Sequence, residues 1–111
     1  MYQKERDWIL GYLEAKGSFT LNMVRAKDRL YQNPAFFLSQ KEREPLLLLR
    51  DLTGWGEVRK VGRLYRWEIR RKREVMMLLE FLEGGFRTPT KRRQYEKWKE
   101  AVLQWKQRGR S

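Results

Sequence analysis

Apolar and polar positions follow two periods along this chain, and the switches between them divide it into helices and hairpins. Lys4 to Lys16 reads as a first helix, with Glu5 and Asp7 early and Lys16 late, as the helix dipole prefers. Within it Gly11 and Ala15 stand four apart and share a face, and two small residues on one face let another backbone approach. Gly17 is expected to close this helix as a left-handed cap. Phe19, Leu21 and Met23 then alternate with Ser18, Thr20, Asn22 and Val24, a strand with one apolar face. A polar connection, Ala26 to Pro34, leads to a second strand at Ala35 to Gln40, and the two strands form a hairpin.

Glu44-Pro45 starts a second helix, whose buried side is Leu46, Leu47, Leu49 and Leu52 and which ends at Gly54 and Gly56. A second hairpin joins Glu57–Val61 to Leu64–Arg70 around Gly62-Arg63. Tyr65, Trp67 and Ile69 point to one side of it and Arg66, Glu68 and Arg70 to the other. Arg73 to Glu83 reads as a helix with Val75, Met76, Leu78, Leu79 and Leu82 inward, stopped by Gly84-Gly85. Thr90 caps a last helix through about Gln107, with Tyr95, Trp98, Val102 and Trp105 at helical spacing. The order predicts an α+β fold: a four-stranded antiparallel sheet, helices packed on one face and charge on the other. At 111 residues this is one domain, 1–111, with room for a single core.

Composition narrows the chemistry. Lysine and arginine number 26 against 14 acids, a net charge of +12, which points to a polyanionic partner. Nucleic acid comes first and an acidic membrane surface second. Five each of Trp, Tyr and Phe argue against a disordered basic tail. With neither cysteine nor histidine, no disulfide framework, ordinary zinc site, Ser-His pair or Cys-His pair is possible. Hydrolysis would have to rest on carboxylates and a hard metal such as magnesium. The charged start, Met1 to Asp7, is no signal peptide, and the longest apolar run, Leu46 to Leu49, falls far short of the ~20 residues of a membrane span. An intracellular place is expected, cytoplasmic, nucleoid-associated or in an organelle. Abundant Arg, Lys, Glu and Trp without cysteine lean towards a heat-adapted source.

Ile9-Leu10-Gly11-Tyr12-Leu13-Glu14-Ala15-Lys16-Gly17, followed by Ser18-Phe19, resembles the motif of the LAGLIDADG homing endonucleases. Pro34 to Gln40, the leucine-rich helix and Gly54-Trp55-Gly56 resemble their second strand and second helix. Arg87-Thr88-Pro89-Thr90-Lys91-Arg92-Arg93 leading into Trp98 resembles their basic segment before the last helix. The resemblance implies the fold already predicted, with a sheet that lies along the DNA major groove and motif helices of two halves that meet at the centre. One motif implies one half and hence a homodimer, with Trp8, Gly11, Tyr12 and Ala15 at the contact. The competing reading is that Gly11 and Ala15 let the helix sit against its own sheet.

Resemblance and strand parity together assign the DNA-facing side chains. Thr20, Asn22 and Val24 come from the first strand and Asn33, Ala35, Phe37 and Ser39 from around the second. Glu57, Arg59, Val61, Arg66, Glu68 and Arg70 come from the third and fourth. Arg59, Arg66, Glu68 and Arg70 suit base readout, because arginine reaches guanine with two bonds and glutamate accepts from cytosine. Lys41, Lys91, Arg92 and Arg93 suit phosphates.

The family places a metal-binding acid at the eighth motif position, and here that position holds Lys16. An ammonium offers a metal no lone pair. Glu14, two residues earlier, lies about 200° away around the helix. Lysine also complements the helix end where a carboxylate opposes it, a difference of ~0.6–2 kcal/mol. By resemblance Gln40 is the glutamine of the water network and Lys91 the basic residue that assists the transition state. The reading is therefore a homodimeric, sequence-specific binder of double-stranded DNA without cofactor and with cleavage lost. One alternative is an active magnesium-dependent homing endonuclease on a near-palindromic site. Another is an intron-RNA maturase on the same basic scaffold. Membrane attachment is set aside, since every amphipathic helix is required for the core.

Overall fold

A computed structural model of the chain describes residues 1–108. The elements are α1 (Gln3–Lys16), β1 (Ser18–Ala26), β2 (Arg29–Gln40), α2 (Glu44–Thr53), β3 (Glu57–Val61), β4 (Leu64–Ile69), α3 (Lys72–Leu82) and α4 (Pro89–Arg108). The strands form one antiparallel sheet in the order β1-β2-β4-β3. Phe36 pairs with Phe19 on one side and with Ile69 on the other, so the long second strand holds the sheet together. This is the α-β-β-α-β-β-α-α order that the apolar periodicity predicts. No helix among the described residues is long and apolar enough to cross a membrane.

The core lies between one face of the sheet and the helices. Phe36, Leu38, Trp67 and Ile69 from the sheet meet Ile9 and Leu13 of α1, Leu46 and Leu49 of α2, Val75, Leu78 and Leu82 of α3, and Trp98 and Val102 of α4. Three buried aromatics with a polar tip find a carbonyl: the Trp67 indole donates to Trp55 O at 2.8 Å, that of Trp98 to Ala35 O at 3.0 Å and the Tyr95 hydroxyl to Leu79 O at 2.9 Å. The apolar bulk of these side chains is buried without leaving a donor unpaired. Arg6 fastens α1 to α3, its guanidinium donating to Phe81 O at 3.1 Å and lying 4.5 Å from that ring's centroid.

Three expectations are corrected, and one competing reading falls. The segment Ala26 to Pro34 is not a loop: β1 and β2 pair from Ser18↔Phe37 out to Ala26↔Arg29, with only Lys27 and Asp28 in the turn. Lys27 takes the positive φ, 57°, that so tight a turn demands. This end of the hairpin extends beyond the core, so both of its faces meet solvent and the apolar alternation fades. The cap of α4 also differs, since the helix begins at Pro89, a residue suited to a first turn, and Thr90 is already inside it. Gly11 and Ala15 do not serve contact with the chain's own sheet. Both are exposed, and a side chain built at Gly11 would have nothing within 4 Å.

Gly17 is the third corrected expectation. Its φ is −74° and its ψ 153°, an extended conformation open to any residue, so no left-handed cap is formed. Glycine is needed there for space. A Cβ at Gly17 would lie 2.2 Å from Phe36 Cζ and 2.6 Å from Leu13 O. Gly17→Ala should therefore cost about 1–3 kcal/mol of stability, the usual range for overpacking. Chemical denaturation checks this, and an unchanged midpoint would contradict it.

Candidate nucleic-acid interface

Strand parity turns one row of each strand away from the core. Registers Thr20↔Ala35 and Asn22↔Asn33 join β1 to β2, Phe37↔Glu68 and Ser39↔Arg66 join β2 to β4, and Glu57↔Glu68 and Arg59↔Arg66 join β4 to β3. The predicted set therefore does share a face, Val24 and Val61 included, although Ala35 is buried within it. Because the hairpin is longer than expected, Arg29 and Tyr31 also stand on this row. A two-residue turn at Lys27-Asp28 was the signal for them in the sequence, masked by the polarity of its surroundings.

At the centre of this face three arginines converge on one carboxylate. Arg59 Nε lies 3.0 Å and Arg66 Nη1 3.4 Å from Glu68 Oε1, and Arg70 Nε lies 3.1 Å from Oε2. Arg66 and Arg70 also lie over the Phe37 ring, 5.1 and 4.7 Å from its centroid. Glu68 is only 8% exposed. Burial pushes its carboxyl up, but hydrogen bonds from Arg59 and Arg70 and their charges outweigh this and hold it below the ordinary glutamate value. Both Glu68 oxygens accept from arginines, beside the cytosine contact expected of this residue. Glu57, at the rim, pairs with Arg71 at 3.2 Å.

The end of α1 distributes the remaining candidates around Gly17. Lys16, Tyr12, Gln40, Lys41, Glu42 and Pro45 line a recess of about 300 Å³. There the Tyr12 hydroxyl donates to Gln40 Oε1, the Gln40 amide donates to Glu42 O at 2.8 Å, and the Lys16 ammonium lies 5.8 Å from the Tyr12 ring centroid. Lys91 stands apart from that recess, beside a groove lined by Ser18, Phe19 and Trp98, and donates to Gly17 O at 2.8 Å. Burial draws its ammonium below the ordinary lysine value, and Glu14 opposes this. Arg92 donates to Phe86 O at 2.8 Å and Arg93 to Thr90 Oγ1 at 3.4 Å, both on the exposed start of α4.

Glu14 points away from Lys16. Its Oε2 accepts from Arg87 N at 2.6 Å, Thr88 N at 2.8 Å and the Thr88 hydroxyl at 3.1 Å, and so holds the turn that starts α4. On the outer side of α1, Lys4, Trp8, Gly11 and Ala15 form one exposed stripe, with Trp8 38% exposed and its ring 5.2 Å from that of Tyr12. Tyr12 itself turns half inward, towards Gln40.

A family model described as LAGLIDADG endonuclease matches residues 9–102. The chain belongs to this family. Among solved structures, an archaeal intron-encoded homing endonuclease, I-Vdi141I, complexed with DNA, is 26% identical with a TM-score of 0.80, over 90% of this chain and 67% of that one. The homing endonuclease I-TnaI shares the fold at 24% identity and a TM-score of 0.83, over 92% and 74% of the two chains. I-GzeII, in complex with its DNA target, shares it at 14% identity and a TM-score of 0.83, over 93% of this chain but only 36% of that one. No curated protein matches the chain. In this LAGLIDADG chain the motif helix thus presents Trp8, Gly11 and Ala15 outward and ends at the Lys16 recess, while the sheet presents the arginine cluster.

The Glu14 contact has a pH signature. Burial raises its pKa, but the Thr88 and Arg87 amides and the Thr88 hydroxyl lower it by more, so the folded-state value lies below the unfolded one. Its contribution is present at neutral pH and is lost as pH falls through the folded value. Glu14→Gln should cost about 1 kcal/mol or less at pH 7, and its stability should fall less steeply than that of the unaltered chain below about pH 4. Denaturant titrations at pH 7 and pH 3.5 check this; equal slopes with pH would contradict it.

Proposed function

We propose that this chain binds duplex DNA sequence-specifically as a two-fold symmetric homodimer and does not cut it. The observation that carries the reading is the sheet face on which Arg59, Arg66 and Arg70 stand in one row with the polar side chains of Thr20, Asn22, Asn33 and Ser39. Such a row is the size and chemistry of a major-groove reader, and the net charge of +12 supplies the attraction to phosphates. Lys41, beside Lys16, and the exposed Arg92 and Arg93 on α4 suit phosphate contacts. The DNA complex of I-Vdi141I, on a related chain of the same fold, supports this partner.

The dimer reading rests on α1. An exposed stripe with two small residues and a tryptophan, on a helix whose opposite side is buried, fits close approach of a second copy.

The absence of cutting rests on the donors. The family resemblance implies a divalent metal held by an acid at the eighth motif position, and the residues here do not fit that ion. Lys16 brings a positive charge, and Glu14, the acid of the same motif, is committed to Arg87 and Thr88. Gln40 and Lys91 also keep structural partners, Tyr12 and the Gly17 carbonyl, and both serve DNA binding without chemistry.

On a duplex selected from a random library, the unaltered protein should form a complex of two chains per duplex and leave the DNA intact with magnesium present. Lys16→Asp should cut the same duplex near its centre only when magnesium is added. Cleavage by the unaltered protein would overturn the reading.

A further inference from the structure

We propose that Glu68 is a positioning residue for base recognition, fixing Arg59, Arg66 and Arg70 so that their remaining guanidinium donors meet guanine edges in the target. The proposal rests on the duplex-DNA reading above and adds to it which bases are read and what holds the readers.

The atoms used decide the argument. A guanidinium carries five N–H donors, and guanine is recognised by two of them reaching O6 and N7. Arg59 and Arg70 each meet Glu68 through Nε, at 3.0 and 3.1 Å, so both terminal amino groups stay outside that contact. Arg66 meets it through Nη1 at 3.4 Å, which leaves its Nε and Nη2 edge outside the contact. Glu68 thus takes one donor from each arginine and leaves each of them one two-donor edge. Phe37 is the second support. Arg66 and Arg70 both lie over its ring, 5.1 and 4.7 Å from the centroid, a second contact that favours their positions.

Three guanidiniums this close would repel one another and spread if left alone. Glu68 provides the one opposing charge at their centre, and at 8% exposure it has little freedom of its own. An arginine already held pays less ordering entropy on binding than one recruited from solution, and a held arginine tolerates fewer wrong bases. A bare cationic patch would bind phosphates more strongly and read less. The carboxylate therefore lowers non-specific attraction and sharpens selection.

The test compares the unaltered protein with Glu68→Gln on a selected duplex, on a scrambled duplex and on selected duplexes carrying 7-deazaguanine in place of single guanines, at fixed salt. For the unaltered chain, deazaguanine at the read positions should weaken binding by about 5-fold or more, the lower end for a lost bidentate pair. Glu68→Gln should lose most of that dependence while binding the scrambled duplex as tightly or more tightly. Arg70→Lys, which leaves the core untouched, should remove the dependence at one guanine per half-site and keep the scrambled affinity. If Glu68→Gln weakens both duplexes alike, or keeps the full guanine dependence, Glu68 is not a positioning residue and the proposal falls while DNA binding stands. A selected site without guanine dependence in the unaltered protein overturns it as well. An unaltered protein with no preference between selected and scrambled duplexes overturns the DNA reading too.

Discussion

Helix α1 depends on one close approach at its end, the seat of Gly17 on the edge of Phe36, where no side chain has room. Phe36 lies in the longest strand, paired on both sides, and is fully buried. Once the end of α1 is pressed onto it, the rotation of the helix is no longer free. Ile9 and Leu13 go inward, Trp8, Gly11 and Ala15 go outward, Lys16 falls beside Gln40, and Glu14 is carried round to the turn before α4. The positions of one motif are thus distributed among core, outer stripe, recess and a helix cap, with Ile9 and Leu13 in the core and Arg6 on Phe81 holding the same orientation.

The sheet face obeys a different constraint, electrostatic rather than steric. In a chain with a large cationic excess, a carboxylate in the middle of the binding face looks like a loss of attraction. Its burial alone would push it towards the neutral form, yet the hydrogen bonds and charges of the arginines more than reverse this. What it contributes is placement. Surface ion pairs are worth about 0–1 kcal/mol each in stability, so the cluster is better explained by the geometry it imposes than by the folding energy it adds.

Element order was legible in the sequence because both periods were strong where one face is buried. The leucines of α2 and α3 and the Tyr65, Trp67, Ile69 alternation of β4 announce themselves for that reason. The pattern failed where burial stops. Past Pro34 the first hairpin leaves the core, and paired strands there have the polarity of a loop. Gly17 was recognised as necessary, but for a conformation it does not adopt, since only the structure reveals Phe36 against it. The site followed the same division. Strand parity was enough to place Arg59, Arg66 and Arg70 on one face, whereas the commitment of Glu68 and Glu14 depends on partners from two to seventy-four residues away. Side-chain chemistry names the candidates, and long-range contacts decide which of them are already occupied.

Membership of the LAGLIDADG family brings this chain its scaffold, and the particular residues at the motif end and on the sheet give the scaffold its proposed use. The most direct measurement is selection of bound duplexes from a random library in the presence of a chelator. The account predicts enrichment of a two-fold symmetric site without any divalent metal. No enrichment under those conditions, or a site with no symmetry, would contradict it.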